Sequence, residues 1–221
     1  MVFTDPPYGI EVANMRGGIE NDENLNVFGE FQPIIKKFIQ PKSHIYIFFG
    51  SKRAAESLAI LNEHFKQFNI LIFPITNQTQ PYPEGYFSSN YEMCYFSQYD
   101  GIKAHRSGIV SVSETTKKDR RYDGDGFLKK YYCLSSMPVT EHNINTVHPT
   151  QKKVDTIEFY IKISSGAGET VLDLFGGSGS TLIAAEQTGR TAFLMEIDPL
   201  YVDVTVKRWE SFTGEKATLE A

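Results

Sequence analysis

Residues 171–212 restrict the fold more than any other part of the chain. A short apolar run at 171–175 opens directly onto Gly176, Gly177 and Gly179, helical spacing follows at 181–187, 191–197 is again strand-like, and 201–212 is helical. Gly189 suits the end of the first of these helices, because glycine tolerates the left-handed conformation that closes a helix. An order of strand, turn, helix, strand, helix belongs to α/β architecture, in which a mostly parallel sheet carries helices on both faces.

The start of the chain continues the pattern. Residues 45–49 and 70–75 read as strands, while 31–39 and 52–65 read as helices, an alternation that suggests further β-α-β units. No stretch repeats with a period of 20 to 50 residues, which argues against solenoids.

The glycine turn lets backbone approach a ligand closely at a helix N-terminus. Glu196 closes the next strand about 20 residues on, where a carboxylate can accept both ribose hydroxyls of a nucleoside cofactor. Turn and carboxylate together suggest a nucleoside-binding crevice, although the turn alone is equally an ordinary strand-to-helix connection. The glycines do not follow G-x-G-x-x-G and no Walker lysine comes after them, which disfavours NAD and the phosphates of ATP.

Asp5-Pro6-Pro7-Tyr8 follows the apolar pair Val2-Phe3, as if a strand emptied into a rigid turn. The prolines fix the backbone and remove its donors. What remains is an acceptor-rich corner of the Asp5 carboxylate and the Pro6 carbonyl, with the flat Tyr8 ring beside it. Such a corner suits an exocyclic amino group on a purine or pyrimidine. Accepting both amino hydrogens draws the nitrogen toward a tetrahedral shape and frees its lone pair for attack, and nearby acceptors stabilise the positive charge that develops. Taken alone, the tetrapeptide is also compatible with a proline-rich surface turn.

Residues 98–145 lack sustained periodicity and read as an irregular insertion. Lys117, Lys118, Arg120, Arg121, Lys129 and Lys130 lie there with Tyr122, Phe127, Tyr131 and Tyr132 interleaved. Basic side chains neutralise phosphates and aromatic rings stack on bases, yet a solvated charged loop has the same composition. The formal net charge of the whole chain is -5, from 22 basic and 27 acidic residues. That excludes global basicity but not a nucleic-acid partner, since phosphate contacts need only a local basic stripe.

No apolar run approaches the ~20 residues of a membrane helix, and the chain reads as soluble and cytoplasmic. Cys94 and Cys133 are too few for a disulfide scaffold or a cysteine-only zinc site, and no histidine spacing indicates a metal.

Together these features resemble one family, the amino-methylating DNA methyltransferases that use S-adenosylmethionine. Asp5 to Tyr8 is similar to their catalytic motif, and the stretch from Asp173 to Gly179 to their cofactor turn. His148-Pro149-Thr150-Gln151-Lys152 is similar to the segment before the cofactor strand in the permuted subclass called beta. In that subclass the catalytic motif comes first, a target-recognition region follows and the cofactor half comes last, as here. The resemblance extends through Glu196, Asp198, Pro199 and Tyr201 to the closing helix, and only the middle stretch matches by position alone.

The resemblance implies a Rossmann-like methyltransferase fold: one catalytic domain, 1–221, with 98–145 as an inserted target-recognition region. It implies that Asp5, Pro6, Pro7 and Tyr8 handle the target base, with Tyr8 stacking on it. Asp173, Phe175, Gly176, Gly177 and Gly179 would line the cofactor, Glu196 would hold its ribose, and Thr150 would lie near its methionine end. The activity implied is methyl transfer from S-adenosylmethionine to N6 of an adenine flipped out of double-stranded DNA. Aspartate at the first catalytic position favours adenine, and cytosine N4 is the alternative. A third reading is an inactive, truncated module that binds DNA or cofactor, because only Met1 to Thr4 precede Asp5 where the family carries a longer strand and an upstream segment.

Extruding a base costs a few kcal/mol, and stacking on Tyr8 returns roughly 1 to 3 kcal/mol. Phosphate contacts from Lys117, Lys118, Arg120 and Arg121 are expected to supply the rest. A cognate restriction endonuclease is a compatible partner, and the oligomeric state is open. Direct attack by the amino nitrogen requires no covalent intermediate, so neither cysteine needs a catalytic role. Lys153 stands where the family usually has proline, a change expected to affect packing.

Overall fold

All six residues of His44–Phe49 are buried, which requires a strand covered on both faces. The computed structural model describes residues 1–7, 25–76, 91–101, 140–141 and 152–220. In chain order the elements are β1 (Val2–Thr4), α1 (Asn26–Phe38), β2 (His44–Phe49), α2 (Ala54–His64), β3 (Gln67–Thr76) and β4 (Tyr91–Gln98). They continue with β5 (Thr140–Glu141), α3 (Val154–Ser164), β6 (Thr170–Asp173), α4 (Ser180–Gln187), β7 (Thr191–Leu194) and α5 (Pro199–Thr213). The strands form a seven-stranded sheet in the order β5-β3-β4-β2-β1-β6-β7. Among the described strands only β4 runs against the rest, pairing antiparallel with β2 and β3, while the other neighbours are parallel.

Alternation along each strand divides the core in two. Tyr46 and Phe48 of β2 point to the side of Phe3, Phe73, Cys94 and Phe96, under Ile157, Tyr160 and Ile161 of α3 and Ala184 of α4. Ile45, Ile47 and Phe49 point to the opposite side, against Phe28, Phe31 and Ile35 of α1 and Leu61 of α2. Helices therefore cover both faces, as the sequence pattern implies. Each large apolar side chain so buried contributes roughly 1.5 to 3 kcal/mol.

Three elements, β4, α3 and the short β5, are absent from the sequence reading. β4 lies between β2 and β3, so the expected simple β-α-β succession becomes a crossover followed by an antiparallel return; buried on both faces at Cys94 to Ser97, it lacks the alternation that marks a half-exposed strand. α3 is rich in β-branched residues, including Val154, Thr156, Ile157, Ile161 and Ile163, which lowers its intrinsic helical preference. Packing of Ile157 and Ile161, both fully buried, holds it as a helix. Within the stretch read as an irregular insertion, Gln98 ends β4, and Thr140–Glu141 pairs parallel with Ile75 and Thr76 of β3. A two-residue strand is too short for any periodicity to show.

The topology sets the C-terminal ends of β1, β2 and β6 side by side, and the reversed β4 contributes its beginning to the same edge. This edge is where ligands bind in open α/β sheets. No helix among the described residues is long and apolar enough to cross a membrane.

Candidate active site

Asp173 ends β6 with its carboxylate buried, 4% exposed. It accepts three hydrogen bonds: from Thr4 Oγ1 at 2.9 Å, from the Phe175 N–H at 3.1 Å and from Thr181 Oγ1 at 2.6 Å. These donors come from the end of β1, the turn itself and the first residues of α4, so one carboxylate fastens three elements. Burial pushes its pKa up from 3.8 to about 6, against the lowering pull of those donors, and the Asp5 charge pushes in the same direction as burial.

The turn is built around its glycines. Gly177 and Gly179 have φ of +51° and +78°, and a Cβ on Gly179 would come 2.7 Å from Thr205 Cγ2 of α5. Gly176 lies flat against β7, its N–H donating to the Met195 carbonyl at 2.8 Å. Glu196 reaches back to this bend: Oε2 accepts from the Gly177 N–H at 2.7 Å and Oε1 from the Asp198 N–H at 2.9 Å. α5 closes the outside of the turn, with the Thr205 hydroxyl donating to the Gly177 carbonyl at 2.9 Å and Arg208 Nη1 donating to the Ser178 carbonyl at 2.9 Å. Phe175 is half-buried and meets the Phe31 ring edge-on at 5.5 Å between centroids.

Asp5 follows β1 at the same edge, its side chain 23% exposed, with Pro6 buried and Pro7 half-buried. Lys152 donates to Asp5 Oδ2 at 2.6 Å and to Glu92 Oε1 at 2.9 Å. Its own side chain is 7% exposed, and the ammonium lies 4.3 Å from the centroid of the Phe48 ring. Burial alone would lower the pKa of this amine, but the Asp5 and Glu92 carboxylates outweigh it and hold the ammonium above its ordinary range. Cys94, on the same side of β4 as Glu92, has its thiol pushed well up by burial. Among the described residues no cluster of His, Cys, Asp and Glu is disposed to hold a metal ion.

Of the residues singled out in the sequence, Asp5, Pro6, Pro7, Asp173, Phe175, Gly176, Gly177, Gly179 and Glu196 converge on this one edge. Tyr8, Thr150, Lys117, Lys118, Arg120 and Arg121 lie outside the described residues.

A family profile for DNA methylases of the N6/N4 type matches residues 1–207. The chain belongs to the N6/N4 DNA methylase family. Among curated relatives, the type II methyltransferase M.HpaI of Haemophilus parainfluenzae is 25% identical over 228 residues, spanning 97% of this methylase and 69% of its own length. The type II methyltransferase M2.DpnII of Streptococcus pneumoniae is 25% identical over 232 residues, spanning 96% and 82%. Among solved structures, the M1.HpyAVI–SAM complex superposes with a TM-score of 0.64 at 20% identity, over 94% of this methylase and 87% of that chain. The cytosine-N4-specific PvuII DNA methyltransferase does so with a TM-score of 0.64 at 19% identity, over 94% and 78%. These structural likenesses establish the Rossmann-like methyltransferase fold.

Thr4, Thr181 and Glu92 are the members of the methylase edge that sequence reasoning passed over, and Lys152 was noted only as part of a motif. Glu92 carried a usable signal, because a lone acid in a strand of otherwise apolar or aromatic neighbours needs a partner.

Proposed function

We propose that the methylase transfers a methyl group from S-adenosylmethionine to the exocyclic N6 of an adenine turned out of double-stranded DNA. In this reading residues 98–145 are the target-recognition region of a single catalytic domain, 1–221. The observation that carries it is the lateral pairing of β1 with β6, tied by the 2.9 Å bond from Thr4 to Asp173. That pairing sets the Asp5 corner beside the glycine turn, so a nucleophile held by one is within reach of a donor held by the other.

The residues of the turn suit a nucleoside donor. Gly176 and Gly177 present backbone without side chains, and each Glu196 oxygen, already accepting one N–H, has a second lone pair that can accept a ribose hydroxyl. Asp173 acts here by fixing the turn rather than by touching the donor, since its oxygens are engaged with Thr4, Phe175 and Thr181. Phe175 lines the crevice from its perch on Phe31, Gly179 lets α4 begin against α5, and Thr150 is assigned to the methionine end from its sequence motif alone. When bound, S-adenosylmethionine supplies an electrophilic methyl group on a sulfonium centre. The Asp5 carboxylate and the Pro6 carbonyl accept the amino hydrogens of the base, freeing the nitrogen lone pair and stabilising the positive charge that builds there. Pro7 stiffens the corner, Tyr8 stacks on the base, and Lys117, Lys118, Arg120 and Arg121 hold phosphates.

Aspartate at position 5 supports adenine as the target base. Incubation with labelled S-adenosylmethionine and mixed-sequence DNA, followed by digestion to nucleosides, tests this. N6-methyladenine is expected; N4-methylcytosine would move the assignment to the other amino base, and an absence of label would support a binding module. Neutralising the four basic residues should weaken DNA binding more than S-adenosylmethionine binding, and equal losses would count against their role.

A further inference from the structure

Asp5 is held by a charged group that arrives from far along the chain. Phe3 and Cys94 point to the α3 side of the sheet, and alternation carries Asp5 and Glu92, two residues away from each, to that same side. Lys152 stands at the approach to α3, the helix that covers this face, and so descends between two carboxylates that the sheet presents together. It is the most deeply buried of the three, at 7% exposure against 23% for Asp5 and 16% for Glu92. A surface ion pair would contribute little, but a shielded cation bonded to two acids fixes the rotation of both.

We propose that Lys152 and Glu92 are positioning residues for Asp5. Lys152 grips Oδ2, which sets the carboxylate plane, and Glu92 shares the cation so that the corner retains an excess negative charge facing the amino nitrogen as it becomes positive. This rests on the reading of Asp5 as the acceptor for the target amino group. Glu92 makes the second half of the device necessary: a lysine paired with Asp5 alone would neutralise the corner and weaken its attraction for developing positive charge.

Among the described residues, the titratable groups facing Asp5 include Lys152 ahead of α3, Glu92 and Cys94 on β4, and Asp173 on β6. Without the lysine, Asp5 and Glu92 become neighbouring like charges with no cation between them, an arrangement that disfavours the charged pair. In Lys152→Met the acid limb of kcat therefore rises by about one pH unit or more, and kcat at pH 7 falls by about 100-fold. KM for S-adenosylmethionine changes by less than about threefold. Adding Glu92→Gln removes the competing acid, so the double variant recovers about tenfold in kcat and its acid limb moves back down. Glu92→Gln alone shifts the limb the opposite way from Lys152→Met, to lower pH, and lowers kcat about fivefold because the corner loses its net charge.

Melting curves and equilibrium binding of S-adenosylmethionine verify that each variant is folded, and the glutamine variant decides the matter should the methionine variant not fold. An unshifted pH profile in the folded variants, or a double variant no faster than Lys152→Met, overturns the proposal. Asp5→Ala separates the two levels of inference. If it retains turnover, the reading of Asp5 fails; if it is dead while the limb in Lys152→Met stays put, only the positioning roles fail.

Discussion

The two carboxylates at the sheet's edge satisfy their charges in opposite ways. Asp173 is 4% exposed and receives only neutral donors, two hydroxyls and a backbone N–H. Asp5 is more open and is met by a full positive charge, the ammonium of Lys152. Neutral dipoles leave burial uncompensated, so the pKa of Asp173 rises to about 6. The contrast is between a carboxylate surrounded by neutral dipoles, placed to clasp three elements together, and one matched by a cation at a more open position, the place proposed for contact with the target base.

That contrast is broken most severely by Asp5→Ala. Methyl incorporation should fall by about 10³-fold or more, while equilibrium binding of labelled S-adenosylmethionine changes little; a parallel loss of binding would show that Asp5 is a clasp as well. Next in size, Glu196→Gln removes a charged acceptor from the Gly177 and Asp198 amides and should weaken S-adenosylmethionine binding by about 10- to 100-fold in a calorimetric titration. Unchanged affinity would remove Glu196 from the donor site. Gly179→Ala should lower the free energy of unfolding by about 1 to 3 kcal/mol, because alanine is strained at φ +78° and its Cβ would meet Thr205. Denaturant titration measures it, and a neutral result would mean that α5 yields.

The smallest effect sharpens the contrast through pH. Burial raises Asp173 from 3.8 to about 6, so between these values the folded protein keeps a proton that the unfolded chain releases. The stability contributed by this group is fully present below about pH 4 and is lost as pH rises through about 6. Asp173→Asn keeps an acceptor for Thr4 and Phe175, and the Thr181 hydroxyl can turn to accept from the new amide. The variant should lack the decline, gaining on the parent protein in denaturant midpoint between pH 4 and pH 7. A difference constant across that range would refute the clasp reading of Asp173.

The same contrast explains what could be read from the sequence. The glycine turn, Glu196 and the helices around them lie within some 40 residues, where order in the chain and closeness in space nearly coincide, so the strand, the turn and the following helix appear close to where they were expected. The Asp5 corner draws on residues 60 and 147 positions from Lys152, and no periodicity connects them. β4 escaped notice for a related reason: its place between β2 and β3 is set by tertiary pairing, and its buried sequence has no face to contrast with another. The 3-residue β1 was legible only because the prolines after it mark its end.

The placement of β1 also governs when the protein can finish folding. Its three residues pair on one side with β2, some 40 positions along the chain, yet their other neighbour is β6, and Thr4 must wait 169 positions for Asp173. Until β6 has docked, β1 keeps a raw margin inside the sheet. Loop closure over that distance is slow, which makes this margin the place where a chaperone would be most useful.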